Sequence, residues 1–112
     1  MSKDVEKCKH IEAYIDKHIT EELTLDGIAD KFGISKYCLC HLFKKNMGYT
    51  VFQYIRRKRL YLVKKYYAPG MNLINVSRLV GYKSYSNFYR DYYKAFGRPP
   101  SESIESIDIC DE

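Results

Sequence analysis

Ser35-Lys-Tyr-Cys-Leu-Cys-His-Leu-Phe-Lys-Lys-Asn-Met-Gly48 recurs 49 positions later as Ser84-Tyr-Ser-Asn-Phe-Tyr-Arg-Asp-Tyr-Tyr-Lys-Ala-Phe-Gly97. Ser35 matches Ser84, Leu39 matches Phe88, Phe43 matches Tyr92, Lys45 matches Lys94 and Gly48 matches Gly97. Each copy has a serine where a helix needs a cap, apolar residues at helical spacing and a glycine where the helix must stop. Each follows a shorter helical segment across a glycine turn. A repeated helix–turn–helix on a basic chain is a signature of DNA reading.

Working outward, Val5, Cys8, Ile11, Ile15 and Ile19 define an amphipathic first helix over about 4–19, with Tyr14 beside the stripe. Thr24 caps a second helix, about 25–32, with Leu25, Ile28, Ala29 and Phe32 inward. Gly33 turns the chain into the third helix, about 36–47, with Leu39, Leu42 and Phe43 inward. Thr50 caps a linker helix, about 51–67. Val51, Tyr54, Ile55, Leu62 and Tyr66 form its expected apolar stripe, and Ala68-Pro-Gly70 ends it. Asn72 caps a helix over about 73–80, with Leu73, Val76, Leu79 and Val80 available for packing. Ser77 stands where the first copy has Ala29. Ser84 caps the helix over about 85–96, whose core residues are Phe88, Tyr92 and Phe96. Pro99-Pro100 blocks its continuation. From Ser101 one more turn and then a frayed acidic end are expected. The fold class is all-α, with two helix–turn–helix subdomains (1–49 and 68–112) joined by a linker helix (50–67), about seven helices in all.

Charge is segregated along the 112 residues. Residues 1–30 hold four lysines against eight acids, net −4. Residues 31–100 hold 15 Lys and Arg against one acid, Asp91, net +14. Residues 101–112 hold five acids and no base, net −5. A basic block of that density points to a polyanionic partner. No apolar run approaches the ~20 residues that span a membrane. Cys8, Cys38, Cys40 and Cys110 contain no C-x-x-C pair, and with no signal peptide ahead of them they read as reduced thiols in a cytoplasm. Cys38 and Cys40 lie about 200° apart on one helix, which prevents joint chelation of an ion. Cys38 is expected to pack in part against neighbours. A redox role for Cys40 stays open. No metal or cofactor is expected. No nucleophile–base pair, acidic pair or phosphate loop is present, so an enzyme is not expected.

The outward faces of the two recognition helices supply the candidate contacts. In the first, the face opposite the core carries Lys36, Tyr37, Cys40, His41 and Lys44. In the second, Tyr85, Ser86, Asn87, Tyr89 and Arg90 are left outward. Arg90 can pair bidentately with guanine and Asn87 with adenine; the tyrosines can pack on thymine methyls or reach phosphates. Ser35, Lys36, Lys44, Lys45, Arg56, Lys83, Ser84 and Lys94 are the candidate phosphate contacts. A monomer carrying both helices could read an asymmetric site of about 15–20 base pairs. Two other readings stay open. One is a helix–turn–helix interaction module that has lost DNA reading, the other a binder of nucleic acid without sequence choice.

Leu25-Asp-Gly-Ile-Ala-Asp-Lys-Phe-Gly-Ile-Ser-Lys-Tyr-Cys-Leu-Cys-His-Leu-Phe-Lys-Lys45 resembles the first helix–turn–helix of AraC/XylS-type bacterial transcription regulators. Tyr54-Ile-Arg-Arg-Lys-Arg-Leu60 resembles their linker helix, and the run from Val80 to Pro100 resembles their signature. The resemblance covers about residues 5–104. It implies a seven-helix, bilobed DNA-binding domain that acts at promoters on the bacterial nucleoid, usually as an activator touching RNA polymerase. It also implies base contacts at Tyr37, Cys40, His41, Tyr85, Ser86, Asn87, Tyr89 and Arg90, and a phosphate contact at Arg56. Val63, Tyr66, Tyr67, Ser77, Tyr82 and Tyr92 depart from the family's usual residues, so altered core packing is expected. The initiating Met and the acidic tail favour a stand-alone monomer. A fragment would instead pair through a separate sensing or dimerisation domain.

Overall fold

The computed structural model describes residues 3–104, and every described element is helical. The helices are α1 (Lys3–Lys17), α2 (Leu25–Lys31), α3 (Lys36–Met47), α4 (Val51–Tyr66), α5 (Leu73–Leu79), α6 (Tyr85–Phe96) and α7 (Pro100–Ser103). The chain divides into two compact units, Met1–Ile55 and Arg56–Glu112. The boundary falls within α4.

Local side chains start most of these helices. Thr24 Oγ1 accepts from Gly27 N at 3.0 Å and Asn72 Oδ1 accepts from Ile74 N at 2.8 Å. Thr50 does more than cap α4. Its Oγ1 accepts from Gln53 N at 3.0 Å while Gln53 Oε1 accepts from Thr50 N at 2.8 Å, a reciprocal capping box. The stops are equally local. Gly48 and Gly97 end α3 and α6 at φ 84° and 73°, a left-handed backbone that only glycine adopts at little cost.

In the first unit, α1 packs on α3, and Cys8, Ile11, Ile15, Ile28, Leu39 and Phe43 are fully or almost fully buried. Val51, Tyr54 and Ile55 complete this core. The Cys8 thiol donates to Leu42 O at 3.6 Å. Burial, aided by Asp4 and Glu12, pushes that thiol up, so Cys8 is a packing residue rather than a nucleophile. In the second unit the core is Leu60, Val63, Val76, Val80, Tyr82, Phe88, Tyr92 and Ile104.

Two packing expectations need correction. In the second half of α4 the buried residues are Leu60 and Val63. Leu62 is only half-buried, and Tyr66 is 51% exposed. The stripe begun at Val51 does not continue, because one helix supplies two separate cores. Leu79 is 66% exposed, while its neighbour Val80 is buried. The one further turn expected after Pro99-Pro100 is seen. α7 forms, Ser103 and Ile104 are buried, and Ser103 Oγ lies 2.9 Å from the Tyr92 hydroxyl. The hydroxyl that Tyr92 adds therefore has a buried partner. The rest of the acidic tail, with Cys110, lies outside the described residues.

Candidate nucleic-acid interface

The two turn regions carry the same hydrogen bond. Ile34 N donates to Ala29 O at 3.0 Å in the first unit, and Tyr82 N donates to Ser77 O at 3.1 Å in the second. Ala29 and Ser77 are both buried, so in each unit a small side chain stands where the helices of the motif come together. Ser77 makes its extra oxygen acceptable by donating to Ile74 O at 2.8 Å. Past the turn, Ser35 Oγ accepts from Cys38 N at 3.0 Å and Ser84 Oγ accepts from Asn87 N at 3.2 Å. Capping uses an oxygen lone pair of each serine. The hydroxyl proton is left for an external acceptor such as a phosphate oxygen.

On α3, Leu39 and Phe43 turn inward, and Lys36, Tyr37, Cys40, His41, Lys44 and Lys45 are exposed. Tyr37 is 76% exposed, an unusual placement for a large aromatic with no core to serve. Its ring lies parallel to that of His41, centroids 6.0 Å apart and planes 10° apart, which restrains both. On α3, Lys36 and Lys44 have partners within the chain. Lys36 Nζ lies 4.0 Å from Asp26 Oδ1, and Lys44 Nζ donates to Gly48 O at 3.2 Å. Both contacts are exposed, and water or phosphate can replace them at small cost. Cys38 is exposed, not packed. It sits in the first turn of α3, where Leu39 takes the buried position.

On α6, Ser86, Tyr89 and Arg90 are exposed. Tyr89 stacks on Tyr93, centroids 6.1 Å apart at 15°. Tyr93 is itself 48% exposed and was not among the expected contact residues; its spacing of four from Tyr89 was the available signal. Tyr85 and Asn87 are only half-buried rather than fully outward. The Tyr85 ring packs 5.6 Å from Phe88 at the fringe of the core, and burial pushes its phenol up. Tyr85 thus divides its ring between the core and the surface.

Lys83 in the turn and Lys94 in the last turn of α6 are exposed. Arg56, within α4 at the start of the second unit, places Nε 3.8 Å from Asp91 Oδ1 on α6. Arg59 lies over the Tyr82 ring, 5.8 Å from its centroid. Burial pulls the Arg59 guanidinium down, while Tyr82 and Asp91 favour its charge. Among the described residues no helix is long and apolar enough to cross a membrane, and no cluster of three or more His, Cys, Asp or Glu is placed to hold a metal ion.

The chain is similar to known proteins. A family model described as a helix-turn-helix domain matches residues 28–106. The regulatory protein SoxS of Escherichia coli strain K12 is 33% identical over 91 residues, covering 80% of this chain and 85% of the relative. The bifunctional transcriptional activator/DNA repair enzyme AdaA of Bacillus subtilis is 35% identical over 92 residues, covering 81% of this chain but 44% of that protein. The crystal structure of a probable AraC family transcriptional regulator from Rhodopseudomonas palustris superposes with a TM-score of 0.73, covering 93% of this chain and 96% of the other at 24% identity, a likeness of fold.

Proposed function

This chain belongs to the AraC/XylS-type family of helix-turn-helix DNA-binding transcription regulators, and from that premise we propose how it reads DNA. The N-terminal halves of α3 and α6 enter successive major grooves of one duplex. The observation that supports this most directly is the recurrence of one unit: a capping serine, an exposed aromatic–cationic face and a glycine stop, on both α3 and α6. Such a face matches the groove in size and charge, and the N-terminal turns of a recognition helix are the ones that reach base edges.

Within this reading, Tyr37, Cys40 and His41 meet bases from α3, and Tyr85, Ser86, Asn87, Tyr89 and Arg90 do so from α6. Tyr37 and Tyr89 offer the largest apolar area for thymine methyls. Arg90 has no carboxylate partner among the described residues, which leaves its donor fork for a guanine. Tyr85 contributes the exposed edge of its ring. Ser35, Lys36, Lys44, Lys45, Arg56, Lys83, Ser84 and Lys94 contact phosphate. SoxS and AdaA carry regulatory names, and AdaA that of an activator. On that likeness the chain acts at promoters as an activator, with RNA polymerase as its protein partner, on the nucleoid of a bacterial cytoplasm. It binds as a monomer and performs no chemistry.

Selection of duplexes from a random library by the purified chain tests this at about 150 mM salt, close to physiological. One asymmetric motif with two blocks about 10 base pairs apart is the expected result. A palindrome would point to paired chains. Equal recovery of unrelated duplexes with a steep salt dependence would replace sequence reading by non-specific binding. Absence of any retained duplex would leave a protein-interaction module.

A further inference from the structure

Asp91 is the single acid among residues 31–100, a block with 15 basic residues. It lies on α6 directly after Arg90, where its negative charge opposes the approach of a polyanion. It is not a stray surface charge, since its side chain is 20% exposed and that of Arg56 31%. Arg56, on α4, is 35 positions away in sequence, so the pair exists only through the tertiary fold. Tyr82 sits in the same neighbourhood. Its hydroxyl is buried and no group among the described residues completes a well-formed hydrogen bond to it, while the Asp91 carboxylate and the Arg56 and Arg59 guanidinium groups all act on it. Arg59 in turn covers the Tyr82 ring. Four residues from α4, the turn and α6 thus form one polar cluster.

We propose that Asp91 is a positioning residue for DNA contact: its carboxylate, 3.8 Å from Arg56 Nε, holds that guanidinium by one edge so that the other edge is presented to a phosphate. Guanidinium geometry makes this possible. The five N–H donors form a planar fork, and an ion pair on the Nε side leaves the outer Nη edge able to grip an anion in bidentate fashion. Among the described residues no second carboxylate pairs with Arg56. Fixing a long side chain before binding removes an ordering cost that the complex would otherwise bear. An exposed ion pair would do little of this. Partial burial and the shared cluster are what give Asp91 its hold.

The inference rests on the reading that Arg56 meets phosphate, and the test separates the two. Binding of one duplex is measured by fluorescence anisotropy from about 0.05 to 0.3 M salt, a range over which counterion release dominates. The proteins are the unaltered chain, Asp91→Asn, Asp91→Glu, Arg56→Ala and the Arg56→Ala/Asp91→Asn double variant. Each phosphate contact contributes about 0.9 to the slope of log K against log salt. Asp91→Asn and Arg56→Ala should each make the slope shallower by about that amount, the double variant should lose no more than either, and Asp91→Glu should restore most of the loss. Tighter binding of every duplex by Asp91→Asn would show that the carboxylate only repels DNA, and would overturn the proposal. So would losses that add in the double variant. An unaltered chain that binds no duplex would overturn the DNA reading itself, and this inference with it. Folding of each variant is checked by thermal melting. Should Asp91→Asn not fold, guanidinium-selective NMR of the unaltered chain decides: an Arg56 Nε–H resonance set apart from those of exposed arginines supports the pair, and one merged with them overturns it.

Discussion

Tyr54, in the first turn of α4, donates its hydroxyl to Asp16 of α1 at 2.7 Å. One helical turn earlier on α1, Glu12 accepts from the Tyr49 hydroxyl at 2.6 Å, and the two tyrosine rings lie 6.0 Å apart and nearly parallel. Two of the acids that make residues 1–30 negative are therefore ligands for phenols rather than idle surface charge. A hydrogen bond to an ionised group contributes about 1.5–3 kcal/mol, so Tyr54→Phe should destabilise the chain by an amount in that range. Urea denaturation measures it. A change below about 0.5 kcal/mol, typical of an unconstrained surface substitution, would mean that the bond is not held in solution.

Tyr54 and Tyr82 together predict an alkaline limit. Burial first, and then the hydrogen bond and charge of Asp16, push the Tyr54 phenol up; burial and then Asp91 do the same for Tyr82. Both fold in their neutral form, while in the unfolded chain a tyrosine ionises near pH 10. Their contribution is complete below that pH and is lost as pH rises above it, by at most about 1.4 kcal/mol per pH unit for each phenol. The melting temperature should fall between about pH 9 and pH 11, and a Tyr54→Phe/Tyr82→Phe variant should fall less steeply. Parallel curves for the two proteins would remove these phenols as the cause.

Ser35 and Ser84 cap their helices at 3.0 and 3.2 Å. Loss of such a cap costs about 1 kcal/mol, so Ser35→Ala and Ser84→Ala should each lower stability by roughly that amount, measured by chemical denaturation. Replacement by Thr, which also caps, should recover most of it. Effects that add in the double variant are expected because the two caps lie in separate units.

Arg90 and Arg56 should fail differently when replaced. Arg90→Ala should cost about 1–3 kcal/mol at one position of the selected site and relax choice there. Arg56→Ala should weaken all sequences alike and make the salt dependence shallower. Binding profiles across a set of single-base variants of the site distinguish them. A uniform loss for Arg90→Ala would remove it from base reading.

Ser77 invites replacement by the residue its counterpart uses. Its hydroxyl bonds back to Ile74 O within α5 rather than to another element. Such back-bonding adds little to a helix, so Ser77→Ala should change stability by less than about 0.5 kcal/mol. A loss above about 1 kcal/mol in thermal or urea unfolding would show that the hydroxyl matters beyond its own helix.

Much of this architecture was legible from residue order. The expected caps at Thr24, Ser35, Thr50, Asn72 and Ser84 are all seen. The inward positions Leu39, Phe43, Phe88 and Tyr92 are buried. Less legible were Leu60 and Val63. A periodicity argument extends one stripe along a helix and has no means of knowing that a second core begins partway. The half-burial of Tyr85 escaped for a related reason. Its helical phase is outward, but the core beside Phe88 reaches its ring.

The division follows from range. Helix starts, stops, the repeat and the outward aromatic–basic faces depend on groups within about five residues of one another, so the order of side chains determined them without reference to the rest of the chain. The pairing of Tyr54 with Asp16, of Arg56 with Asp91 and of Tyr92 with Ser103 was decided by tertiary structure alone. Each needs two elements to pack before a donor and an acceptor can meet, and no local pattern marks which acid or hydroxyl the packing will bring there.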